Sequence, residues 1–197
     1  MTSILKVDEL QDSSGNLIIK EVGNAITVGA SGDAITVPSG ATLTAPGHIL
    51  QVVQTVKTDT DSTTATSFND ISGMSVAITP AATSSKILIY VDAKSGWTAN
   101  YSTSFALLRD STQIYMGDAA SSRTRGFFGG QTDDARMSFP PSAVYLDSPS
   151  TTSATTYKVQ WLVESGATAY INKDAGDADA AYSTRAASSI TVMEIGA

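Results

Sequence analysis

Short apolar stretches that alternate with polar residues and end at Gly, Ser, Asn or Pro run through most of this chain. In Thr156–Glu164, for example, Val159, Trp161 and Val163 alternate with Gln160 and Leu162. Because successive side chains of a strand point to opposite faces, the pattern predicts short β-strands, each with one buried face. Charged residues make up only 16% of the chain, too few for amphipathic helices with charged outer faces. The sequence therefore predicts an all-β fold.

Residues 1–20 contain two apolar runs, Ile4–Leu10 and Leu17–Lys20, on either side of the Asp12–Asn16 turn cluster. This arrangement predicts a hairpin. A short helix over residues 4–11 is the alternative, because Ile4, Val7 and Leu10 lie three residues apart. So small a segment cannot fold alone, so we expect it to attach the chain to a larger particle. The expected attachment residues are Ile4, Leu5, Val7 and Leu10.

Residues 21–47 contain a repeat in which Ala25-Ile26-Thr27-Val28 returns nine positions later as Ala34-Ile35-Thr36-Val37. Each unit predicts a short strand followed by a turn, and such strands bury their apolar faces only by adding neighbours. We expect those neighbours to come from other copies, which predicts a three-fold stem. A flexible linker is the alternative. The expected stem residues are Leu17, Ile19, Ile26, Val28, Ile35, Val37 and Leu43.

Residues 48–197 are predicted to form the globular head. Turn signals separate nine candidate strands in this part of the chain. They are His48–Val56, Gly73–Thr79, Lys86–Ala93, Thr103–Arg109, Thr112–Tyr115, Ala143–Leu146, Thr156–Glu164, Ala167–Asn172 and Ser188–Ile195. This number and spacing of strands is typical of a β-sandwich or a jelly roll.

The chain has a formal net charge of -7 and no cysteine. A nucleic-acid-binding protein needs a basic face, so the charge argues against nucleic acid as a partner. The lack of cysteine excludes disulfides and thiolate metal sites, and self-association is a common substitute for such cross-links. No apolar run approaches the roughly 20 residues of a membrane helix, so membrane insertion is not expected.

Few residue patterns suggest catalysis. His48 is the only histidine, and no nucleophile signature such as G-x-S-x-G accompanies it. Asp174, Asp177 and Asp179 offer oxygen ligands of the kind that Ca²⁺ prefers, but their spacing is not that of an EF-hand. A polar loop is the alternative interpretation of this cluster. We therefore predict no enzyme activity, no cofactor and no metal.

Two segments are candidates for surface contact with a ligand such as a host glycan. One combines Arg123 and Arg125 with the adjacent aromatic residues Phe127 and Phe128; arginine and aromatic side chains together suit acidic or planar ligands. The alternative is that both phenylalanines pack into the core or a subunit interface. The second segment is the loop that carries Trp97 and Tyr101. Trp161, by contrast, is predicted to lie in the core.

Several stretches resemble the C-terminal domains of phage tail-fibre and virion structural proteins, especially those of marine and cyanobacterial phages. These stretches are Lys86–Ile89, Phe105–Asp110, Gly117–Arg125, Leu146–Pro149, Thr156–Trp161 and Ser189–Ile195, and the opening Ile4–Asp8 with Asp12–Asn16 is similar to the start of such proteins. The resemblance implies a trimeric jelly roll, similar to the C1q and tumour-necrosis-factor folds, on a β-rich stem. Long tail fibres have a far longer shaft than residues 21–47.

From these features we expect a short trimeric fibre or tip on the exterior of a phage virion, with a head that binds the host surface. The alternative is a capsid decoration or head-fibre protein that reinforces or decorates the shell. A cellular C1q-like lectin is a third hypothesis. The expected partners are other copies of the chain, other virion proteins and a host surface glycan.

Overall fold

The structure is a computed structural model that describes residues 9–11, 13–14, 17–22, 25–28, 31–34, 36 and 46–196. The chain divides into two compact units, Met1–Thr44 and Ala45–Ala197. In the described residues every regular element is a strand and every strand pairing is antiparallel. The predicted all-β character is therefore confirmed for this part of the chain. The same residues include no helix long and apolar enough to cross a membrane.

The first unit contains a three-stranded sheet in the order β1 (Glu9–Gln11), β2 (Leu17–Val22) and β3 (Ala25–Val28). β1 and β2 form the hairpin predicted for residues 1–20, and Leu10 lies opposite Ile19. Residues 9–11, which the alternative prediction placed in a short helix, therefore belong to a strand. Of the expected attachment residues, Ile4, Leu5 and Val7 lie outside the described residues.

β2 and β3 carry the first part of the predicted stem. Leu17 and Ile19 lie on β2, Ile26 and Val28 lie on β3, and Ile19 is directly opposite Val28. This pairing lies within one chain, and the association of the stem with other copies of the chain stays a prediction. Ile35, Val37 and Leu43 lie outside the described residues.

The second unit, the head, contains the remaining strands. They are β4 (Ile49–Lys57), β5 (Asp61–Thr63), β6 (Asn69–Ile78), β7 (Lys86–Asp92), β8 (Ser95–Trp97), β9 (Tyr101–Arg109), β10 (Thr112–Ile114), β11 (Phe128–Thr132), β12 (Ser142–Asp147), β13 (Thr155–Val163), β14 (Ala169–Ile171) and β15 (Ser188–Ile195). All nine head strands predicted from the sequence are present with small shifts of their ends. β5, β8 and β11 were not predicted.

Two larger sheets and one small sheet make up the head. The four-stranded sheet has the order β12-β7-β15-β4, and the five-stranded sheet has the order β10-β9-β13-β6, with β11 also paired to β9. The small sheet has the order β5-β14-β8. The antiparallel arrangement is consistent with a β-sandwich.

The core of the head collects side chains from both larger sheets. Ile87, Ile89 and Val192 of the four-stranded sheet are fully buried, as are Phe105 and Val159 of the five-stranded sheet. Trp161 is 1% exposed, which confirms its predicted place in the core. In β13 and β7 the buried residues alternate with more exposed ones. The choice of residues that fill the core therefore also determines which residues of each sheet face outward.

A charged cluster ties the two sheets together where β12 meets β9 and β13. The Asp147 carboxylate is buried and accepts hydrogen bonds from Arg109 Nη1 at 3.0 Å to each oxygen. It also accepts one from the Tyr157 hydroxyl at 2.7 Å. Burial, together with this hydrogen bond to Asp147, raises the pKa of Tyr157, which keeps the hydroxyl protonated as a donor. A buried carboxylate with three such bonds is stable where an unpaired one would not be.

Glu194, near the end of β15, holds the turn between β6 and β7 in a similar way. Its side chain is fully buried, and its carboxylate accepts hydrogen bonds from Gln51 Nε2 at 2.6 Å and the Ala81 amide at 2.7 Å. Burial alone would raise the pKa of Glu194. The hydrogen bonds from Gln51 and from the backbone favour the charged form more strongly, so the pKa is lowered from its ordinary 4.5.

The lowered pKa of Glu194 predicts acid sensitivity. The stabilisation is fully present above the unfolded-state pKa of 4.5 and is lost as the pH falls through the lower folded-state value. We expect Glu194→Gln to lower the free energy of unfolding at pH 7 by about 1.5–3 kcal/mol, since it removes hydrogen bonds to a charge. The variant should also lose less stability than wild type between neutral and acid pH. Denaturant unfolding across that range measures both effects.

Asp134→Asn is the matched control. The pKa of Asp134 is also lowered, by hydrogen bonds from Arg136, but this pair lies at the surface. Exposed ion pairs contribute little, so this substitution should leave the free energy of unfolding almost unchanged at every pH tested. Equal acid sensitivity in Glu194→Gln and wild type would contradict the role given to Glu194.

Candidate functional site

Trp97 is part of a buried strand, where the sequence predicted a contact loop. Its side chain is fully buried and stacks on Phe139, with ring centroids 4.6 Å apart. A Cβ on the neighbouring Gly96 would lie 2.7 Å from the Asp174 Cα, so only glycine allows β8 to approach that backbone so closely. Because a core ring cannot meet a surface ligand, Trp97 is withdrawn from the candidate contact residues.

Phe127 and Phe128 pack inward as well. Both are half-buried against the core, and their ring centroids lie 6.4 Å and 5.9 Å from that of Phe105. The Phe127 amide donates to the Phe105 carbonyl at 3.0 Å. These contacts agree with the alternative given for the two residues, and they anchor the loop between β10 and β11 on β9.

The arginines of the same loop differ in exposure. Arg125 is half-buried, and its Nε donates to the Gly117 carbonyl at 2.7 Å, which closes the loop on itself. The Arg125 carbonyl accepts a bond from Gln113 Nε2 at 2.7 Å. Arg123 is exposed. Between them, Thr124 forms part of the wall of a groove on the five-stranded sheet.

This groove, which we name the hydroxyl groove, has a volume of about 440 Å³. Residues of β9 and β13, together with the loops around Thr66, Thr124 and Ser165, line it. The lining residues are Thr66, Ser102, Ser104, Thr124, Leu162, Val163, Glu164 and Ser165. On its floor Ser104 lies directly opposite Leu162 in the β9–β13 ladder.

Tyr101 lies beside one end of the hydroxyl groove. Its side chain is half-buried, and its hydroxyl would be 3.4 Å from a Cβ placed on Gly166, the residue after Ser165. Gly166 has a φ of +91°, which favours glycine at this turn. Of the segments that the sequence singled out, the one with Arg123 and Arg125 contributes Thr124 to the groove, and Tyr101 lies near the turn that follows Ser165, while none of these three predicted residues lines the groove itself.

The acidic cluster has protein donors at two of its three carboxylates. Asp174 is buried and accepts bonds from the Asp177 amide at 2.6 Å and Ser183 Oγ at 2.8 Å. Asp177 pairs with Lys173 and Arg185, and the hydrogen bond from Lys173 lowers its pKa. Asp179 is exposed. Within the described residues no three acidic, histidine or cysteine side chains are grouped so that they could hold a metal ion.

Sequence reasoning did not predict the outer surface of the four-stranded sheet. It carries Val52, Val56, Tyr90, Val144 and Leu146, each more than half exposed, together with the half-buried Leu88 and Met193. We name these seven residues the apolar face. Leu146, Leu88, Met193 and Val52 lie side by side across all four strands. The continuous apolar run Ile87–Val91 was the available signal, because such a run is typical of a strand buried on both faces.

The outer surface of the five-stranded sheet is polar by comparison. Lys158 pairs with Asp70 at 2.9 Å, and Gln160 donates to the same carboxylate at 2.7 Å. Ser75 is exposed on the neighbouring strand. The two outer surfaces of the head therefore differ sharply in chemistry, and only one of them resembles a protein–protein contact surface.

The chain matches no protein-family model, and it is not significantly similar to any curated protein.

A substitution at Gly126 tests how the loop between β10 and β11, which carries Thr124 on the wall of the hydroxyl groove, is held against β9. A Cβ at this position would lie 2.2 Å from the Phe105 carbonyl oxygen, so Gly126→Ala must push the loop away from β9. We expect a loss of about 1–3 kcal/mol in the free energy of unfolding. Gly117→Ala is the control, because a Cβ at Gly117 meets nothing within 4 Å, and its effect should stay within about 0.5 kcal/mol. Equal effects in denaturant unfolding would contradict this contact.

Proposed function

We propose that this chain is a phage virion structural protein, a short trimeric fibre or tip that displays its head for host-surface binding. The observation that carries the proposal is the apolar face. Six of its seven residues are neighbours on the strand ladder, and Val56 lies beyond the hydrogen-bonded Gln54 and Thr191. A monomer rarely leaves such an apolar surface in water, and a second outer surface of the same head is polar and grooved. One surface suits assembly and the other suits contact with a ligand.

The order of the strands supports a jelly roll as the fold of the head. Eight main strands, β4, β6, β7, β9, β10, β12, β13 and β15, follow one another along the chain. Numbered one to eight, they form one sheet in the order 6-3-8-1 and the other in the order 5-4-7-2. Every connection except the β9–β10 hairpin thus passes from one sheet to the other, as two Greek keys require. This arrangement agrees with the expected similarity to C1q and tumour-necrosis-factor heads.

Other copies of the chain are the proposed occupants of the apolar face. β4 directly follows the N-terminal repeat segment and contributes Val52 and Val56 to the face. A repeat segment that gathers three copies would bring three such strands together. Completing the burial of a half-exposed large apolar side chain contributes about 1 kcal/mol, so the exposed members of the face can supply several kcal/mol per head towards the cost of association.

Tyr90→Asp tests the trimer. Tyr90 is 51% exposed in the middle of the face, opposite Val144, and an ionised group there would be heavily penalised in an apolar contact. Light scattering should give wild type about three times the chain mass of 20.4 kDa and the variant a lower mass. Ser75→Asp on the polar surface is the matched control and should remain trimeric. A monomeric wild type at micromolar concentration would exclude the trimer.

Residues 1–20 are the proposed attachment segment, as the apolar residues Ile4, Leu5, Val7 and Leu10 predict. A chain that lacks these residues, produced during infection, should still assemble but be missing from purified particles. Normal incorporation of the truncated chain would show that attachment lies elsewhere. Immunogold imaging of wild-type particles distinguishes a fibre or tip on the tail from the alternative, a decoration on the capsid.

A further inference from the structure

The hydroxyl groove has the chemistry of a binding site for a hydroxylated ligand. Thr66, Ser102, Ser104, Thr124 and Ser165 all line it, and within the described chain none of their side-chain hydroxyls makes a hydrogen bond to another residue. Each hydroxyl can donate one hydrogen bond and accept others. A ligand whose own hydroxyls both donate and accept can pair with such a surface in many arrangements, and saccharides have this property.

The charge of the groove indicates that the saccharide is neutral. Glu164 is the one charged residue among the lining side chains, and its Oε2 accepts a bond from the Ser102 amide at 3.1 Å. A carboxylate has further lone pairs that can accept bonds from sugar hydroxyls. It repels phosphate, sulfate and uronate groups inside the groove, and the neighbouring arginines do not offset it there, because neither Arg123 nor Arg125 lines the groove and Arg125 Nε is bound to the Gly117 carbonyl. Leu162 offers a small apolar area for the C–H face of a sugar ring.

The groove is also held in a fixed shape. The Glu164 amide donates to the Ser102 carbonyl and the Val163 amide donates to the Ala65 carbonyl, both at 2.9 Å. The opposite wall is fixed by the contact of Gly126 with β9. A preorganised site loses little conformational entropy on binding, and its volume of about 440 Å³ falls within the range of small-molecule sites.

We propose that the hydroxyl groove binds a neutral saccharide, with Ser104, Thr124 and Glu164 as the principal contacts and Tyr101 flanking one end. This proposal deepens the host-binding role suggested for the head and supplies its ligand class.

The test uses the full chain and four neutral probes, maltotetraose, cellotetraose, mannotetraose and chitotetraose, with tetragalacturonate as an acidic comparison. Saturation-transfer NMR should detect at least one neutral probe, and titration calorimetry should give its dissociation constant. Ser104→Ala and Thr124→Val should each raise that constant about fivefold, the effect of one lost hydrogen bond. Glu164→Gln should raise it as well, because the amide is a weaker acceptor than the carboxylate.

Ser75→Ala is the matched control. Ser75 is an exposed serine on the same sheet but is absent from the groove lining, so its removal should leave the dissociation constant unchanged. The thermal unfolding of every variant shows whether the fold is retained. Thr66→Trp supplies a second test, since a large ring from the exposed loop should occlude the groove without altering either strand.

Three results would overturn the proposal. The first is the lack of a signal from any neutral probe at about 10 mM, because such binding would be too weak to matter. The second is tighter binding of tetragalacturonate than of the neutral probes. The third is a loss of affinity in Ser75→Ala equal to that in the groove variants. Because the assay uses purified protein alone, its outcome is independent of where the chain sits in a particle. Failure of the virion assignment would appear instead in the incorporation experiment, with saccharide binding intact.

Discussion

The rest of the head depends on the mutual burial of the inner faces of its two larger sheets. Once Ile89 and Val192 on one sheet and Phe105 and Val159 on the other occupy the core, the two-residue period of a strand leaves no freedom for the remaining side chains. They must point outward. The apolar face and the hydroxyl groove are therefore consequences of the register that fills the core.

Sequence patterns predicted the long strands well because their signal is local. β7 and β13 have apolar residues at every second position, so each could be recognised without knowledge of its neighbours. β8 and β11 could not be recognised in this way. They contain Ser95-Gly96-Trp97 and Phe128-Gly129-Gly130, and such glycine-rich segments are typical of loops. Their strand conformation depends on pairing with β14 and β9, which is tertiary information.

The candidate site was predictable only in fragments for the same reason. An aromatic residue in a loop-like segment has no local property that shows whether its ring faces the core or water, and Trp97 faces the core. Arg123, Arg125 and Tyr101 were recognised singly, but their common neighbour is a groove built from strands distant in sequence. Ser102 and Ser104 carried no signal at all, because serines at alternate positions are ordinary outer residues of a half-exposed strand.

The placement of the two surfaces on different sheets has a further consequence for assembly. If copies associate through the apolar face of the four-stranded sheet, the hydroxyl groove on the five-stranded sheet stays open in every copy. A trimer would then present three equivalent grooves to one host surface. Because linked sites raise overall avidity well above the affinity of each site, a groove that binds a neutral sugar only weakly would suffice for attachment. Weak single sites are what a shallow groove of hydroxyls can offer, since each neutral hydrogen bond contributes only about 1 kcal/mol net.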